Sequence, residues 1–177
     1  YKGLASKSTV KLNGDFVYAY TIWPDRYKLG LDKAAELLNS SLISVVNLDR
    51  KLYKHNQLEK WPYMVIENAK IEDWMYYFIN CRFVVTDSFH GLCMAIIFKK
   101  PFLYIKGSLD LSRPRSILEP LGLQYRIVES VNDALKHPDQ YFSDIDYTHA
   151  YEVLDKERER CLNWLKEALA TDKKVRS

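Results

Sequence analysis

Residues 82–106, RFVVTDSFHGLCMAIIFKKPFLYIK, decide the fold of this chain. Arg82 to Thr86 is a continuous apolar run, the pattern of a strand covered on both faces in a parallel sheet, and Pro101 to Lys106 is a second one. Phe89 to Phe98 between them reads as a helix, so the order is strand, turn, helix, strand. Working outward toward the N-terminus, Ile71 to Asn80 sets Ile71, Trp74, Met75, Phe78 and Ile79 on one helical face. Before it come a short strand near Tyr63 to Glu67 and an irregular charged connection from Asn47 to Trp61. A β-α-β unit precedes these: strand Asp15 to Ile22, a loop from Trp23 to Gly30 carrying Arg26 and Lys28, helix Leu31 to Leu38, and strand Leu42 to Val46. Toward the C-terminus a polar loop leads to a short helix through Ile117 to Leu121. A last helix, Tyr147 to Ala170, sets Tyr151, Leu154, Cys161, Leu165 and Ala168 on one side and most of the charge on the other. That helix is expected to pack across the domain or across a missing neighbour. The alternation predicts an α/β fold: a Rossmann-like, doubly wound, mostly parallel sheet with right-handed crossovers. One domain is expected over residues 15–170, with 1–14 as a linker remnant and 171–177 as a charged, frayed tail.

Composition narrows the function classes. The 177 residues are 47% hydrophobic, ordinary for one globular domain. The net charge of +3 comes from 26 basic and 23 acidic side chains scattered along the chain, with no basic stripe to track a phosphate backbone, so nucleic acid is excluded as a partner. Cys81, Cys93 and Cys161 are odd in number and widely spaced in apolar segments, which predicts buried thiols in a reducing compartment and no metal held by cysteine. No apolar run reaches the roughly 20 residues needed to span a bilayer, and Tyr1 to Gly14 is unlike a signal peptide, so a cytoplasmic location is expected, with the inner membrane face as a peripheral alternative. There is no Gly-rich phosphate loop of the dinucleotide or P-loop type, and no cofactor is expected.

The chemistry falls at the turn Asp87-Ser88-Phe89-His90-Gly91. Ligands of open parallel sheets bind beyond the carboxyl ends of the strands, and this turn lies between a strand and the next helix. The first turn of that helix offers unpaired N–H groups and the positive end of the helix dipole to a phosphate or carboxylate. Asp87 or Ser88 can cap it. A histidine in that turn, His90, can donate to an anionic ligand or serve as an acid, because imidazole changes charge near neutral pH. The structural alternative is that Asp87 and Ser88 merely cap the helix and His90 merely satisfies a carbonyl.

Val84 to Gly91, continuing into Ala95 to Phe102, resembles the signature strand-turn-helix-strand of the polysaccharide pyruvyl transferase family. Downstream, Ser112-Arg113 with Ile117-Leu118, then Leu121-Gly122-Leu123 and Arg126, resembles the family's arginine before a short helix, its Gly-Leu turn and its second arginine. The resemblance runs from about Asp15 to Arg126. It implies the C-terminal, donor-side half of a two-Rossmann, GT-B-like transferase, with a missing N-terminal acceptor domain as partner. The implied reaction moves a pyruvyl group from phosphoenolpyruvate to a sugar, free or lipid-linked, usually as a ketal across two hydroxyls, with release of phosphate; the isolated domain is expected to be inactive.

The family's turn reads Asp-Arg-Leu-His-Gly, with the arginine and histidine assigned to the donor, so its histidine falls on His90 and its arginine on Ser88. Serine cannot clamp a carboxylate or phosphate in two-pronged fashion. Another arginine is therefore expected to supply the charge: Arg113 first, Arg115 second and Arg126 third, with Lys106 and Arg26 as weaker candidates. His90 is the catalytic candidate, and Asp87, Ser88, Phe89 and Gly91 line the donor site with the arginines. Two other readings keep the fold: a nucleotide-sugar glycosyltransferase donor domain, and a non-catalytic binding or assembly module.

Overall fold

The computed structural model describes residues 1–22, 24–46, 64–67, 69–106 and 110–175. Its centre is a wholly parallel sheet of six strands: β1 (Phe16–Tyr20), β2 (Ser41–Val46), β3 (Met64–Glu67), β4 (Phe83–Thr86), β5 (Phe102–Ile105) and β6 (Ile127–Val128). They lie in the order β3-β2-β1-β4-β5-β6, the order of a doubly wound Rossmann sheet. The register sets Tyr20 beside Thr86 and Thr86 beside Tyr104 at the carboxyl edge.

Apolar runs in β1, β4 and β5 arise because both faces of the sheet are covered. Val17, Ala19, Phe83, Val85, Leu103 and Ile105 point to one layer, while Phe16, Tyr18, Val84, Phe102 and Tyr104 point to the other. On the first face lie α2 (Pro24–Leu37) and the short α6 (Val131–Ala134). On the second lie α3 (Ile71–Asn80) and α4 (Phe89–Ile97). Burying one such side chain contributes about 1.5–3 kcal/mol, so the two-sided core fixes the strand order.

Several elements differ from expectation. The helix after β1 starts at Pro24, not Leu31, since proline at a helix start sacrifices no needed N–H. Gly30 lies inside it because α2 and α6 approach closely: a Cβ there would sit 2.8 Å from the Val131 Cβ. The helix expected near Ile117 is α5, Ser112–Leu118, and so carries Arg113 and Arg115 on regular backbone. A 3₁₀ turn at Gln124–Arg126, strand β6, α6 and α7 (Pro138–Tyr141) follow, all too short to show a period. The charged connection expected at 47–61 lies outside the described residues.

The N-terminal segment packs on the body: α1 (Lys2–Ala5) lies against α3, and Ser8 Oγ donates to Asp73 at 2.6 Å. At the other end α8 (Thr148–Val175) docks through its start, where the Tyr151 hydroxyl donates to the carbonyls of Ile96 and Ile97 at 3.0 and 2.9 Å. From Asp155 to Ala170 every side chain is exposed, including Leu162, Trp164, Leu165 and Leu169. Cys161 is therefore exposed, against expectation, because the helix has left the body there; Cys81 is buried and Cys93 half-buried. Among the described residues no helix is long and apolar enough to cross a membrane.

Candidate functional site

From β1 the chain winds to β2 and β3, and from β4 to β5 and β6, so the loops after β1 and β4 part in opposite directions and open a crevice. Among the described residues, three hydrogen bonds tie its floor together. The Thr86 hydroxyl donates to the Tyr20 carbonyl at 2.6 Å, the Ile22 N–H donates to the Asp87 carboxylate at 2.6 Å, and the Tyr104 hydroxyl donates to the Asp87 carbonyl at 3.2 Å. Asp87 is 2% exposed and ties the two diverging loops together.

Helix α4 starts on this floor. Ser88 occupies the N-cap, but its side chain makes no capping bond, and its own N–H donates to Thr86 Oγ1 at 3.0 Å. Ser88 is thus not used as a cap, and the Asp87 carboxylate accepts from the Ile22 N–H. Among the described residues the first turn of α4 receives no capping bond from Ser88, and the positive end of the helix faces the crevice. Gly91 makes this seating possible, since a Cβ there would lie 2.3 Å from Thr86 Oγ1 and 2.9 Å from a Tyr20 ring carbon.

His90, on the second helical residue, is exposed. It opens onto a concavity of about 350 Å³ whose other walls are Tyr20, Ala69, Ile71 and Trp74. Phe89 is half-buried beside it, and the Arg113 guanidinium lies over the Phe89 ring, 4.2 Å from its centre. Phe89 thus offers an aromatic face at the start of α4, and a cation from α5 rests on it. The charge of Arg113 reaches two further groups. Burial pushes the half-buried Cys93 thiol up while Arg113 pulls it down, and burial and then Asp87 push the Tyr104 hydroxyl up while Arg113 again opposes. Arg113 thus lies over the first residue of α4.

The other candidate cations stand apart. Arg115 is exposed on α5 and lines a cleft of about 260 Å³ at the β5–β6 edge with Lys106, Glu119 and Gln124. Lys106 is paired with Glu129 at 2.6 Å in the same cleft. Arg126 corrects the expectation of a third clamp. It is 0% exposed, and its guanidinium donates to the carbonyls of Tyr141, Ser143 and Asp144 at 2.6, 2.9 and 3.3 Å. Those carbonyls belong to a turn without a ladder of its own, and their demand for donors draws the guanidinium inward. The side chain of Arg26 lies outside the described residues. Among the described residues no three His, Cys, Asp or Glu side chains converge as metal ligands.

Tyr20 and Trp74 did not emerge from the sequence as site residues, because an aromatic in an apolar strand or on an apolar helix face reads as core. The available signal was position: Tyr20 ends β1, and Trp74 lies in the first turns of a helix entering from the carboxyl edge.

This fold defines a Rossmann-like domain with a crevice at the carboxyl edge of its parallel sheet, the fold found in the halves of GT-B-like enzymes. The chain belongs to the polysaccharide pyruvyl transferase family, whose model matches residues 8–108, more than half of its length. The matched stretch contains the Asp87 to Gly91 turn and ends before Arg113. Among solved structures it is similar to the UDP-GlcNAc 2-epimerase of Methanocaldococcus jannaschii in complex with UDP-GlcNAc and UDP, at a TM-score of 0.59 and 13% identity over 92% of this chain and 50% of that one. It is also similar to the UDP-GlcNAc 2-epimerase of Neisseria meningitidis, at a TM-score of 0.53 and 14% identity over 90% of this chain and 48% of that one. At such identities the likeness shows the fold. The chain spans about half the length of these structures. No curated protein matches it.

Proposed function

We propose that this chain is the donor-side domain of a transferase that moves a pyruvyl group from phosphoenolpyruvate to two hydroxyls of a sugar held with the help of an acceptor domain. The observation that carries this reading is the Arg113 guanidinium stacked on Phe89 beside the uncapped start of α4, with His90 exposed next to it. A serine stands where the family's turn has arginine, and Arg113 restores a cation at that place from another helix.

In the proposed reaction the two hydroxyl oxygens bond to the central carbon of phosphoenolpyruvate and its bond to the phosphate oxygen breaks. One hydroxyl proton is matched by the proton added to the methylene carbon, which becomes methyl, and the other leaves with inorganic phosphate. The free N–H groups of the first turn of α4 and Arg113 hold the phosphate and carboxylate as negative charge shifts onto the leaving group. His90 supplies the proton or the hydrogen bond to the departing oxygen. Asp87 and Thr86 position the turn, and Gly91 lets it sit on the strands.

A nucleotide-sugar donor is the second reading, favoured by the separate cleft at Lys106 and Arg115 beyond the same sheet edge. Calorimetric titration of the chain with phosphoenolpyruvate, phosphate and UDP distinguishes the two. Phosphoenolpyruvate is expected to bind, with about tenfold or greater weakening in Arg113→Ala and in His90→Ala and no change in Arg115→Ala. Binding of UDP alone, weakened by Arg115→Ala, would replace the first reading with the second.

A further inference from the structure

Beside His90 the protein presents a surface that the donor chemistry leaves unused. Phe89 and Arg113 do not line it; Tyr20, Ile71 and Trp74 do. Helix α3 enters from the carboxyl edge of the sheet, so its first residues stand above the strand ends. Ile71 remains 55% exposed there, unusual for a large aliphatic beside a polar site. Trp74 has one polar atom, Nε1, which is buried without a hydrogen-bond partner, so what the indole shows to solvent is ring carbon. Its orientation is fixed by edge-to-face packing: Tyr20 and Trp74 lie 5.5 Å apart at 71°, and Phe78 supports them at 5.8 and 4.9 Å. The result is a rigid aromatic shelf, apolar on its open side, with an imidazole at its rim.

We infer that this shelf is a saccharide subsite, taking the apolar C–H face of a pyranose ring of the acceptor. A pyranose carries weakly positive C–H bonds on its faces and hydroxyls around its edge. The C–H face complements the negative face of an aromatic ring, and an edge hydroxyl then falls toward His90. The volume of about 350 Å³ lies at the lower end of the roughly 300–1,000 Å³ typical of ligand sites, fitting one ring rather than a chain of them. A rigid aromatic wall also loses little conformational entropy on binding. The domain assigned to the donor thus contributes to holding the acceptor, and His90 stands between the two substrates. The assignment of the ligand as an acceptor rests on the function proposed above; the existence of a sugar-binding shelf does not.

The test follows the indole N–H signals of the ¹⁵N-labelled chain, that of Trp74 assigned by its loss in Trp74→Phe. Methyl β-D-galactopyranoside and methyl β-D-glucopyranoside are titrated separately from phosphoenolpyruvate and uridine. At least one glycoside is expected to shift the Trp74 signal with millimolar affinity, weakened about tenfold in Ile71→Asp, an exposed position at which the fold should survive. Phosphoenolpyruvate should instead move the amides of His90 and Gly91, with its affinity unchanged in the uncharged variant Ile71→Gln. Absence of any glycoside shift, equal glycoside affinity in Ile71→Asp, or an equal response to uridine would overturn the subsite. Glycoside binding without phosphoenolpyruvate binding would leave the shelf standing and sink the pyruvyl-transfer reading.

Discussion

Arg113 and Arg126 flank the same short region, α5 and the 3₁₀ turn, yet their surroundings give them opposite work. Arg113 is exposed on a helix and rests on the Phe89 ring. Arg126 is sealed in the body and donates to carbonyls of the turn after α7. The first places a charge where a ligand can reach it, with little consequence for folding. The second gives up its solvation to satisfy backbone that would otherwise be buried without partners. An arginine in a functional-looking pattern therefore needs its donors accounted for before it is assigned to a ligand.

The comparison breaks most directly through stability. Arg126→Ala strands the carbonyls of Tyr141, Ser143 and Asp144 and leaves a cavity, and is expected to cost about 3 kcal/mol, roughly 6–12 °C in melting temperature. Arg113→Ala should stay within about 0.5 kcal/mol of the parent, so equal melting temperatures for the two variants would erase the distinction.

A smaller effect sharpens the site side. Gly91→Ala forces a methyl against Thr86 Oγ1, at a cost of about 1–3 kcal/mol. By displacing the start of α4 from the strand ends, it should also weaken phosphoenolpyruvate binding, although the added methyl faces Thr86 and Tyr20 rather than the ligand. Calorimetry on the folded variant checks this; unchanged affinity would mean that the seating of α4 does not shape the anion site.

The smallest expected effect is alkaline and concerns the core alone. Burial pushes the Cys81 thiol from 9.0 up to about 12, and burial also raises Tyr18. A proton retained in the folded state and released in the unfolded one stabilises the fold fully below about pH 9, and that stability is lost as pH rises toward 12. Melting temperature should fall by roughly 2–4 °C between pH 8 and 10, with donor affinity reading a separate profile. A Cys81→Ala variant whose melting temperature falls as steeply would remove Cys81 as the cause.

The sheet was legible because its strands are buried on both faces, and such strands carry unbroken apolar runs that composition alone reveals. Helix Ile71–Asn80 was legible to the residue, since ten residues give a clear period. Strand β6 and helices α6 and α7, at two to four residues, carry no period and take their shape from what they pack against. Pro24 to Gly30 read as a loop because Gly30 breaks helical propensity, and the close approach of Val131 explains that glycine only in three dimensions.

The sequence by itself determined the doubly wound fold and the place of the Asp87 to Gly91 turn at a strand's carboxyl end, because periodicity and strand-helix alternation are local properties. Its resemblance to the family also set Ser88 where the family's turn has arginine. Tertiary structure decided that Arg113 faces the turn while Arg126 does not, that Asp87 ties two loops, and that Tyr20 and Trp74 form a shelf at the surface. Each depends on which groups from distant parts of the chain compete for the same donor, acceptor or apolar face. That competition exists only once the strands have been laid side by side.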